Sequence, residues 1–408
     1  MQSLSPARLA RTALACLLPL MLLAACSSVR VAPSAGGPRD AELLPPVRTD
    51  RASTSQFPAA DSDGYRPPAQ LAVVLPMTGS AAAAATSVRD GFLAAYYAET
   101  RRRPRLKFYD SLGSADGALA AMQRARAEGA QMIVGPLTRP EAAAVVAAAD
   151  GSIPVIALNR ADRVPLGTTS FALVPEAEGR ALAERLLARG LRSALAFGNG
   201  SDNATRAIAA FKERFAMQGG VLVEQIPVLG ETADLTERLS TLQAGATPPQ
   251  AVVLALEAGP ARAIAAQLRS SALASLPRFA TSLIVNGANA RADIELDGIQ
   301  YPELPWLLDL PVGLPEADAL GRNLASARGP AQRLFAFGAD AWRLSAWFDH
   351  LYSQPGASIR GATGDLRIDI SGPVEWTPAW AVFSGGRGRP APAAVAAPQA
   401  PGASQPAR

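Results

Sequence analysis

The chain has 408 residues and a mass of 42.2 kDa, which is enough for two compact domains and too long for one small module. Hydrophobic residues make up 49% and charged residues 18% of the chain, so it is too apolar to be disordered throughout. The formal charge is +4, but it becomes −1 without five arginines near the two ends, Arg8, Arg11, Arg387, Arg389 and Arg408. A body with no excess of cations is not expected to bind nucleic acid.

The first 26 residues have the pattern of a secretory signal peptide. Arg8 and Arg11 precede an apolar run at 13–23, which is shorter than the roughly 20 residues needed to span a bilayer. Leu23-Ala24-Ala25-Cys26 then resembles a bacterial lipobox, in which the cysteine is acylated and becomes the first residue. The sequence predicts a signal peptide at 1–25 and lipidation at Cys26. The alternative is an ordinary signal peptide that ends in a cysteine by chance.

Lipidation would also determine where the protein lies. Acyl chains contribute about 0.8 kcal/mol per buried methylene, so a multiply acylated protein stays on its membrane. Ser27 stands where an aspartate would resemble an inner-membrane retention signal, so the pattern resembles that of lipoproteins sent to the outer membrane. The predicted location is the outer membrane, facing the periplasm. Cys16 is cleaved away and Cys26 is acylated, so no cysteine is left for a disulfide or a zinc site.

Both ends of the remaining chain have a composition typical of disorder. Residues 26–69 are rich in Pro, Ser, Ala and Asp and lack an apolar period, so they are predicted to form a lipidated disordered tether. Residues 385–408 begin with Gly-Gly-Arg-Gly-Arg-Pro and continue in Ala, Pro and Gln, so they are predicted to form a disordered tail. The globular body is therefore expected at 70–384.

Short apolar runs alternate with stretches of helical period through the first part of this body. The run at 71–75 is apolar on both faces, as a buried parallel strand is, and a turn follows it at 76–79. Apolar residues then recur at helical spacing from Val88 to Tyr97. Further elements are predicted as strands at 106–109, 132–134 and 153–157 and a helix at 118–128. This order predicts a doubly wound parallel sheet.

The same order of elements starts again near residue 194. Strands are predicted at 194–197, 221–223, 251–256 and within 279–285, and helices through 208–215, 235–242 and 261–268. The repeat predicts an α/β fold of two doubly wound parallel-sheet lobes joined by crossovers. Lobe 1 is expected at about 70–174 and 285–345, and lobe 2 at about 175–284 and 346–384.

Catalytic and cofactor motifs are sparse. His350 is the only histidine, and the sequence has neither a Gly-x-Ser-x-Gly elbow nor a Gly-Lys-Ser/Thr phosphate loop. His350 is predicted to lie on the surface near the end of a helix that begins at about Asp340. The stretch 198–203 begins like a dinucleotide fingerprint but has Asn203 at the third glycine position. The chain is expected to be no enzyme and to hold neither a cofactor nor a metal ion.

Polar residues follow several predicted strands, at the sheet edge where open α/β folds bind ligands. Such side chains suit a small polar or carboxylate ligand between the lobes, although Ser, Thr, Asn and Asp also cap helices and close turns. The candidate pocket residues are Thr78, Gly79, Ser80, Pro136, Asn159, Asn199, Ser201, Asp202, Glu257, Thr281 and Ser282.

Eight stretches of the body together resemble a known family. They are LAVVLPMTG at 71–79, VRDGFLAAYY at 88–97, EGAQMIVGPL at 128–137, IPVIALN at 153–159, ATS at 280–282, DGI at 297–299, LPWLL at 304–308 and FGADA at 337–341. In this order they resemble the penicillin-binding-protein activator lipoproteins of the LpoA/LppC type. Their glycines suit tight strand-to-helix turns. The stretch 304–308 suits an apolar surface strip or a closure between the lobes.

The resemblance implies a type I periplasmic-binding-protein-like fold carried on an outer-membrane lipoprotein. Members of this family bind a class A penicillin-binding protein, which is a peptidoglycan synthase, and stimulate its glycan polymerisation and peptide cross-linking. Longer relatives have a helical repeat domain before this body, whereas in this sequence the predicted tether at 27–70 occupies that position. The alternative function is a lipid-anchored receptor for a small polar ligand such as an amino acid, an amide or a muropeptide.

Overall fold

The computed structural model describes residue 54 and residues 56–161, 163–230, 233–285, 289–369 and 371–392. The signal peptide at 1–25, the lipidation site Cys26 and residues 27–53 and 55 of the predicted tether lie outside the described residues. Within the described ranges, no helix is both long and apolar enough to cross a membrane.

Lobe 1 is built on a five-stranded parallel sheet, as the alternation of strands and helices predicts. The sheet order is β2-β1-β3-β4-β5. Strand β1 is an interior strand, and its residues after the first are all apolar and buried. The elements are β1 Gln70–Leu75, α1 Ala82–Ala98, β2 Arg105–Asp110, α2 Ala115–Ala127, β3 Met132–Val134, α3 Arg139–Ala148, β4 Val155–Ala157 and β5 Thr168–Ser170.

Lobe 2 repeats this topology. Its parallel strands have the order β7-β6-β8-β9-β10, and the antiparallel strands β14 and β15 extend the sheet beyond β10. The predicted strands and helices of this region are confirmed, except that only the start of 279–285 is a strand. The elements are α4 Pro175–Ala188, β6 Ser193–Gly198, α5 Asp202–Met217, β7 Val221–Pro227, α6 Thr236–Ala244, β8 Ala251–Ala255, α7 Ala258–Arg269, β9 Arg278–Ala280, α8 Ala290–Asp293 and β10 Gln300–Glu303.

The chain then returns to lobe 1 before it ends in lobe 2. The returning helices and the small antiparallel sheet β11-β12-β13 pack on the core of lobe 1, through residues such as Trp342, Phe348 and Leu366. The elements are α9 Ala317–Asn323, α10 Ala331–Ala346, α11 Phe348–Ser353, β11 Ile359–Arg360, β12 Asp365–Ile368, β13 Val374–Thr377, β14 Ala379–Ser384 and β15 Arg387–Pro390.

The predicted lobe boundaries are therefore wrong in the second half of the chain. Strand β10 pairs with β9 and β14, and Tyr301 packs in the core of lobe 2, so 289–303 belongs to lobe 2 rather than lobe 1. Residues 346–377 belong to lobe 1, because Phe348, Leu351 and Trp376 are buried in its core. The chain crosses between the lobes three times, after β5, β10 and β13.

Part of the predicted tether is ordered. Phe57 and Tyr65 are buried in the core of lobe 1, and the Tyr65 hydroxyl donates to the carbonyl of Arg102 at 2.6 Å. Arg66 forms an ion pair with Asp349 at 2.8 Å, and Thr54 donates to the same carboxylate at 2.6 Å. The prediction of disorder is thus wrong for residue 54 and for 56–69, because two aromatic side chains and a charge pair bind them to the lobe.

The first residues of the predicted tail also form regular structure. Ser384 pairs with Arg387 across a two-residue loop, and the two loop glycines, Gly385 and Gly386, have φ values of 60° and 69°. Two successive positive φ angles are what a tight hairpin turn requires, and glycine adopts them without strain. Asp297 accepts hydrogen bonds from both glycine amides at 2.9 Å. Disorder is therefore wrong for 385–392, and the rest of the tail lies outside the described residues.

Candidate functional site in the inter-lobe cleft

An ion-pair network joins the two lobes where the chain first crosses between them. Glu176, on α4 of lobe 2, pairs with Arg160 of lobe 1 at 3.1 Å. The same carboxylate accepts two hydrogen bonds of 2.8 Å from Arg206 on α5. Burial raises the pKa of Glu176, but the hydrogen bonds to its carboxylate and the charges of Arg206 and Arg160 together outweigh burial, so the pKa lies below its usual value. The carboxylate is thus charged, and it connects cations of both lobes.

A second cluster contains two carboxylates near a single guanidinium. Arg333 on α10 donates to the buried Glu303 at 2.7 Å. Glu178 on α4 accepts from the backbone amide and the hydroxyl of Ser282, at 2.8 and 2.5 Å. Burial raises the pKa of Glu178, and the pull of Arg333 in the opposite direction does not cancel it. Burial also raises the pKa of Glu303, against the same guanidinium and the amide of Leu304.

Replacing Glu303 with glutamine should change how stability depends on pH. A carboxyl group whose pKa is higher in the folded than in the unfolded protein binds more protons when folded, so its contribution to stability falls as the pH rises above about 4.5. Glutamine has no such titration. Chemical denaturation of both proteins gives the free energy of unfolding at each pH. The difference between the variant and the wild type, variant minus wild type, should therefore increase as the pH rises above about 4.5. Glu213→Gln, at an exposed position of α5, is the control, and a difference that does not rise with pH would contradict the prediction.

Two cavities adjoin these clusters. One of about 330 Å³ is lined by Asn159, Arg160 and Arg206 together with Leu334 and Phe337 of α10. The other, of about 270 Å³, is lined by Glu178, Thr281, Ser282, Arg333 and Asn203. The Thr281 hydroxyl is buried and has no hydrogen-bond partner among the described residues. The second cavity therefore combines both signs of charge with an unsatisfied hydroxyl.

Of the predicted pocket residues, Asn159, Thr281 and Ser282 line these two cavities. Asn159 is held by its own contacts, since its amide donates to the carbonyl of Leu137 at 2.8 Å. The sequence did not indicate Glu178, Arg333 or Arg206. They lie near the N-terminal ends of helices, and only the packing of α4, α5 and α10 brings them to the cleft.

The other candidates have local contacts and lie outside these two cavities. Thr78 donates to Asp110 at 2.8 Å, with Gly79 and Ser80 in the same turn, and Pro136 follows a cis peptide bond after β3. Asn199 accepts from Ser201, which caps α5, while Asp202 pairs with Arg206. Glu257 is the residue before α7. These residues follow strands β1, β3, β6 and β8, as predicted.

His350 lies in α11, where it is half-buried against Gly64 of the ordered segment before β1. No cluster of three or more His, Cys, Asp or Glu side chains capable of holding a metal ion occurs among the described residues.

The motif 304–308 is not a surface strip, because Leu304 and Trp306 are buried in the core of lobe 1.

Two parallel-sheet lobes of equal topology, with three crossovers and a cleft at the carboxyl ends of the strands, define a type I periplasmic-binding-protein-like fold. A solved structure from Chromobacterium violaceum, described as a "putative branched-chain amino acid ABC transporter", has this fold. It aligns with a TM-score of 0.63 and 26% identity, over 77% of this chain and 99% of that one.

The model of the family described as "LppC putative lipoprotein" matches residues 64–386, so the chain belongs to the LpoA/LppC family. The "Penicillin-binding protein activator LpoA" of Photobacterium profundum is 26% identical over 348 residues, which is 77% of this chain and 56% of that protein. The LpoA (YraM) C-domain of Haemophilus influenzae, "a regulator of PBP1A", aligns with a TM-score of 0.66 and 23% identity, over 79% of this chain and 99% of that one. The chain spans about half the length of the curated relatives it matches.

Proposed function

We propose that this protein is a lipid-anchored, non-enzymatic activator of a class A penicillin-binding protein, and that it faces the periplasm from the outer membrane. The observation that carries the proposal is the family match over 64–386, which covers both lobes. Relatives over this region are named penicillin-binding protein activators. An activator needs no catalytic group, because preferential binding to the active conformation of its partner shifts the partner's equilibrium.

The contacts of the cleft also support a role in binding a protein partner. Arg160 and Arg206 are both paired with Glu176, and Arg333 is paired with Glu303. The Arg160–Glu176 and Arg333–Glu303 pairs join lobe 1 to lobe 2, whereas the Arg206–Glu176 pair lies within lobe 2. The two inter-lobe pairs favour one arrangement of the lobes. A fixed arrangement of two lobes offers a partner a surface made of both, at a small cost in conformational entropy.

The test is reconstitution with a purified class A synthase. The chain from residue 27 onward, without its lipid, should be retained by the immobilised synthase and should raise the rate of glycan polymerisation from lipid II. An unrelated type I periplasmic binding protein is the matched control and should do neither. Failure of both retention and stimulation with every class A synthase of the same cell would refute the activator.

The anchor is tested separately. Wild-type cells should incorporate radiolabelled palmitate into the protein, and the protein should fractionate with the outer membrane. Cys26→Ser should abolish the labelling, because the acylated thiol is lost. A wild-type protein that remains unlabelled and is found in the culture fluid would contradict the proposed location.

A second function, a receptor for a small polar ligand, is favoured by one specific observation. Thr281 lines a cavity that Glu178 and Arg333 also line, and its buried hydroxyl has no partner in the part of the chain that the structure describes. An unsatisfied buried hydroxyl is costly and gains from a ligand that pairs with it. Calorimetry with amino acids, amides and muropeptides tests this function, and Thr281→Val should weaken any binding that uses this hydroxyl. A protein that binds none of them, yet stimulates the synthase, is an activator alone.

A further inference from the structure

A groove adjoins the cleft, between α4 and β13, and its larger cavity shares Arg160 with the cleft cavity of about 330 Å³. It consists of a cavity of about 610 Å³ and an adjoining one of about 140 Å³, which share Arg180 and Glu375. We call these two cavities together the α4 groove. One wall of the larger cavity is the extended chain at 170–174, and the opposite wall is the chain at 373–375.

The two walls of the larger cavity offer backbone groups to an extended chain. Ser170 and Pro373 form an isolated parallel bridge, and the pairing does not continue past it within the described residues. The backbone amides of Ala172 and Val174 donate no hydrogen bond to any described residue. An added extended peptide can accept hydrogen bonds from a strand edge of this kind, and this is a recurrent mode of peptide recognition.

Among the described residues that line the smaller cavity, positively charged side chains outnumber negatively charged ones by one. Arg214 pairs with Glu184, and Arg367 pairs with Glu375. Arg180 also lines the cavity, is exposed, and forms neither an ion pair nor a hydrogen bond with a described residue. The wall of the larger cavity carries Asp369 and also Arg160, which is paired with Glu176. A ligand with a negative end is therefore drawn with that end toward the smaller cavity.

A residue on the wall of the smaller cavity has an unsatisfied donor. Trp376 is only 5% exposed, and its buried indole nitrogen has no hydrogen-bond partner among the described residues. An indole N–H can only donate, so the group that satisfies it must be an acceptor. An exposed guanidinium and a buried indole N–H around one small cavity suit a carboxylate, which accepts hydrogen bonds from both.

We propose that the α4 groove binds an extended peptide that ends in a carboxylate. The carboxylate contacts Arg180 and the indole of Trp376 in the smaller cavity, and the peptide backbone lies along 170–174 in the larger one. The negative group is either the free C-terminus or an acidic side chain at the end of the peptide. This binding is separate from the activation of a synthase, so a negative result here leaves the activator proposal unaffected.

The experiment is calorimetry with the chain from residue 27 onward and three peptides. They are N-acetyl-tetra-alanine with a free C-terminus, the same peptide as its amide, and N-acetyl-tri-alanyl-glutamate amide. At least one of the two carboxylate peptides should bind, and which of them binds better identifies the source of the carboxylate. Arg180→Gln should weaken that binding at least about tenfold, since hydrogen bonds to charged groups are the strong ones. Trp376→Phe should weaken it by less, because the indole N–H is neutral.

Arg291→Gln is the matched control, because Arg291 is exposed and lies outside these cavities, and it should bind like the wild type. Arg180 is exposed, so Arg180→Gln is expected to fold, which its melting temperature verifies. The proposal is overturned if neither carboxylate peptide binds at millimolar concentration. It is equally overturned if the tetra-alanine amide binds as tightly as the better-binding carboxylate peptide, if inorganic phosphate binds and the peptides do not, or if Arg180→Gln leaves the affinity unchanged.

Discussion

Replacing Asp340 with alanine is expected to lower the free energy of unfolding by about 3–5 kcal/mol, the range for removing one partner of a buried charge pair. Asp340 is fully buried on α10, and one carboxylate oxygen accepts from Arg343 at 2.8 Å and from the amide of Ala362 at 2.6 Å. The other oxygen accepts from the amide and the hydroxyl of Thr363, at 2.7 and 2.6 Å. Alanine would leave these donors without their acceptor.

The loss is measured by urea denaturation of Asp340→Ala and the wild type at neutral pH. Asp318→Ala is the matched control, because Asp318 is exposed on the short helix α9, and its effect should stay within about 0.5 kcal/mol. Asp340→Asn should fall between the two, since the amide keeps one acceptor oxygen. If Asp340→Ala were as stable as the control, the carboxylate would not hold the 361–364 loop to α10.

The role of Asp340 shows what the sequence could and could not indicate. The stretch 337–341 is one of the motifs that carry the family resemblance, and an aspartate in such a motif suggests a binding site. The structure shows instead that this carboxylate joins α10 to the loop between β11 and β12. The partners are about 20 residues away along the chain, so no local pattern reveals them.

The lobes were predictable to the extent that their strands are apolar on both faces. Strands β1, β6 and β8 are buried and read as continuous apolar runs. Strands β12, β13 and β15 are short and partly exposed, and their sequences mix charged with apolar residues. Such strands are stabilised by pairing with distant strands, which is why neither they nor the crossovers next to them were found in the sequence.

The candidate site was predictable only as a sheet edge. Topology places the residues after β1, β3, β4, β6, β8 and β9 at the carboxyl ends of the two sheets, and that part follows from the alternation of elements. Which of these turns contribute to a cavity depends on how the lobes are packed against each other. The cleft cavities include Asn159, Thr281 and Ser282 and draw their charged groups from helices.

The crossing of α1 and α10 gives the second large expected effect. Gly91 and Gly338 stand in two of the family motifs. Gly91 lies within the helix that the spacing from Val88 to Tyr97 predicts, and Gly338 lies within α10 rather than in a strand-to-helix turn. A Cβ atom at Gly338 would stand 1.9 Å from the carbonyl oxygen of Val88, and one at Gly91 would stand 1.8 Å from that of Phe335. The two helix backbones therefore touch at both glycines, and neither side can yield by rotating a side chain.

Gly338→Ala is expected to lower the free energy of unfolding by about 2–3 kcal/mol, the upper part of the range for overpacking a core, because the helices must separate. The higher helix propensity of alanine, about 1 kcal/mol, offsets only part of the cost. Gly259→Ala in α7 is the control: the nearest atom to its added Cβ is a guanidinium nitrogen of Arg262 at 4.0 Å, so only the propensity gain applies. In thermal and urea denaturation, Gly338→Ala should be less stable than the wild type and Gly259→Ala more stable. An equal gain of stability in both variants would mean that α1 and α10 do not meet at Gly338.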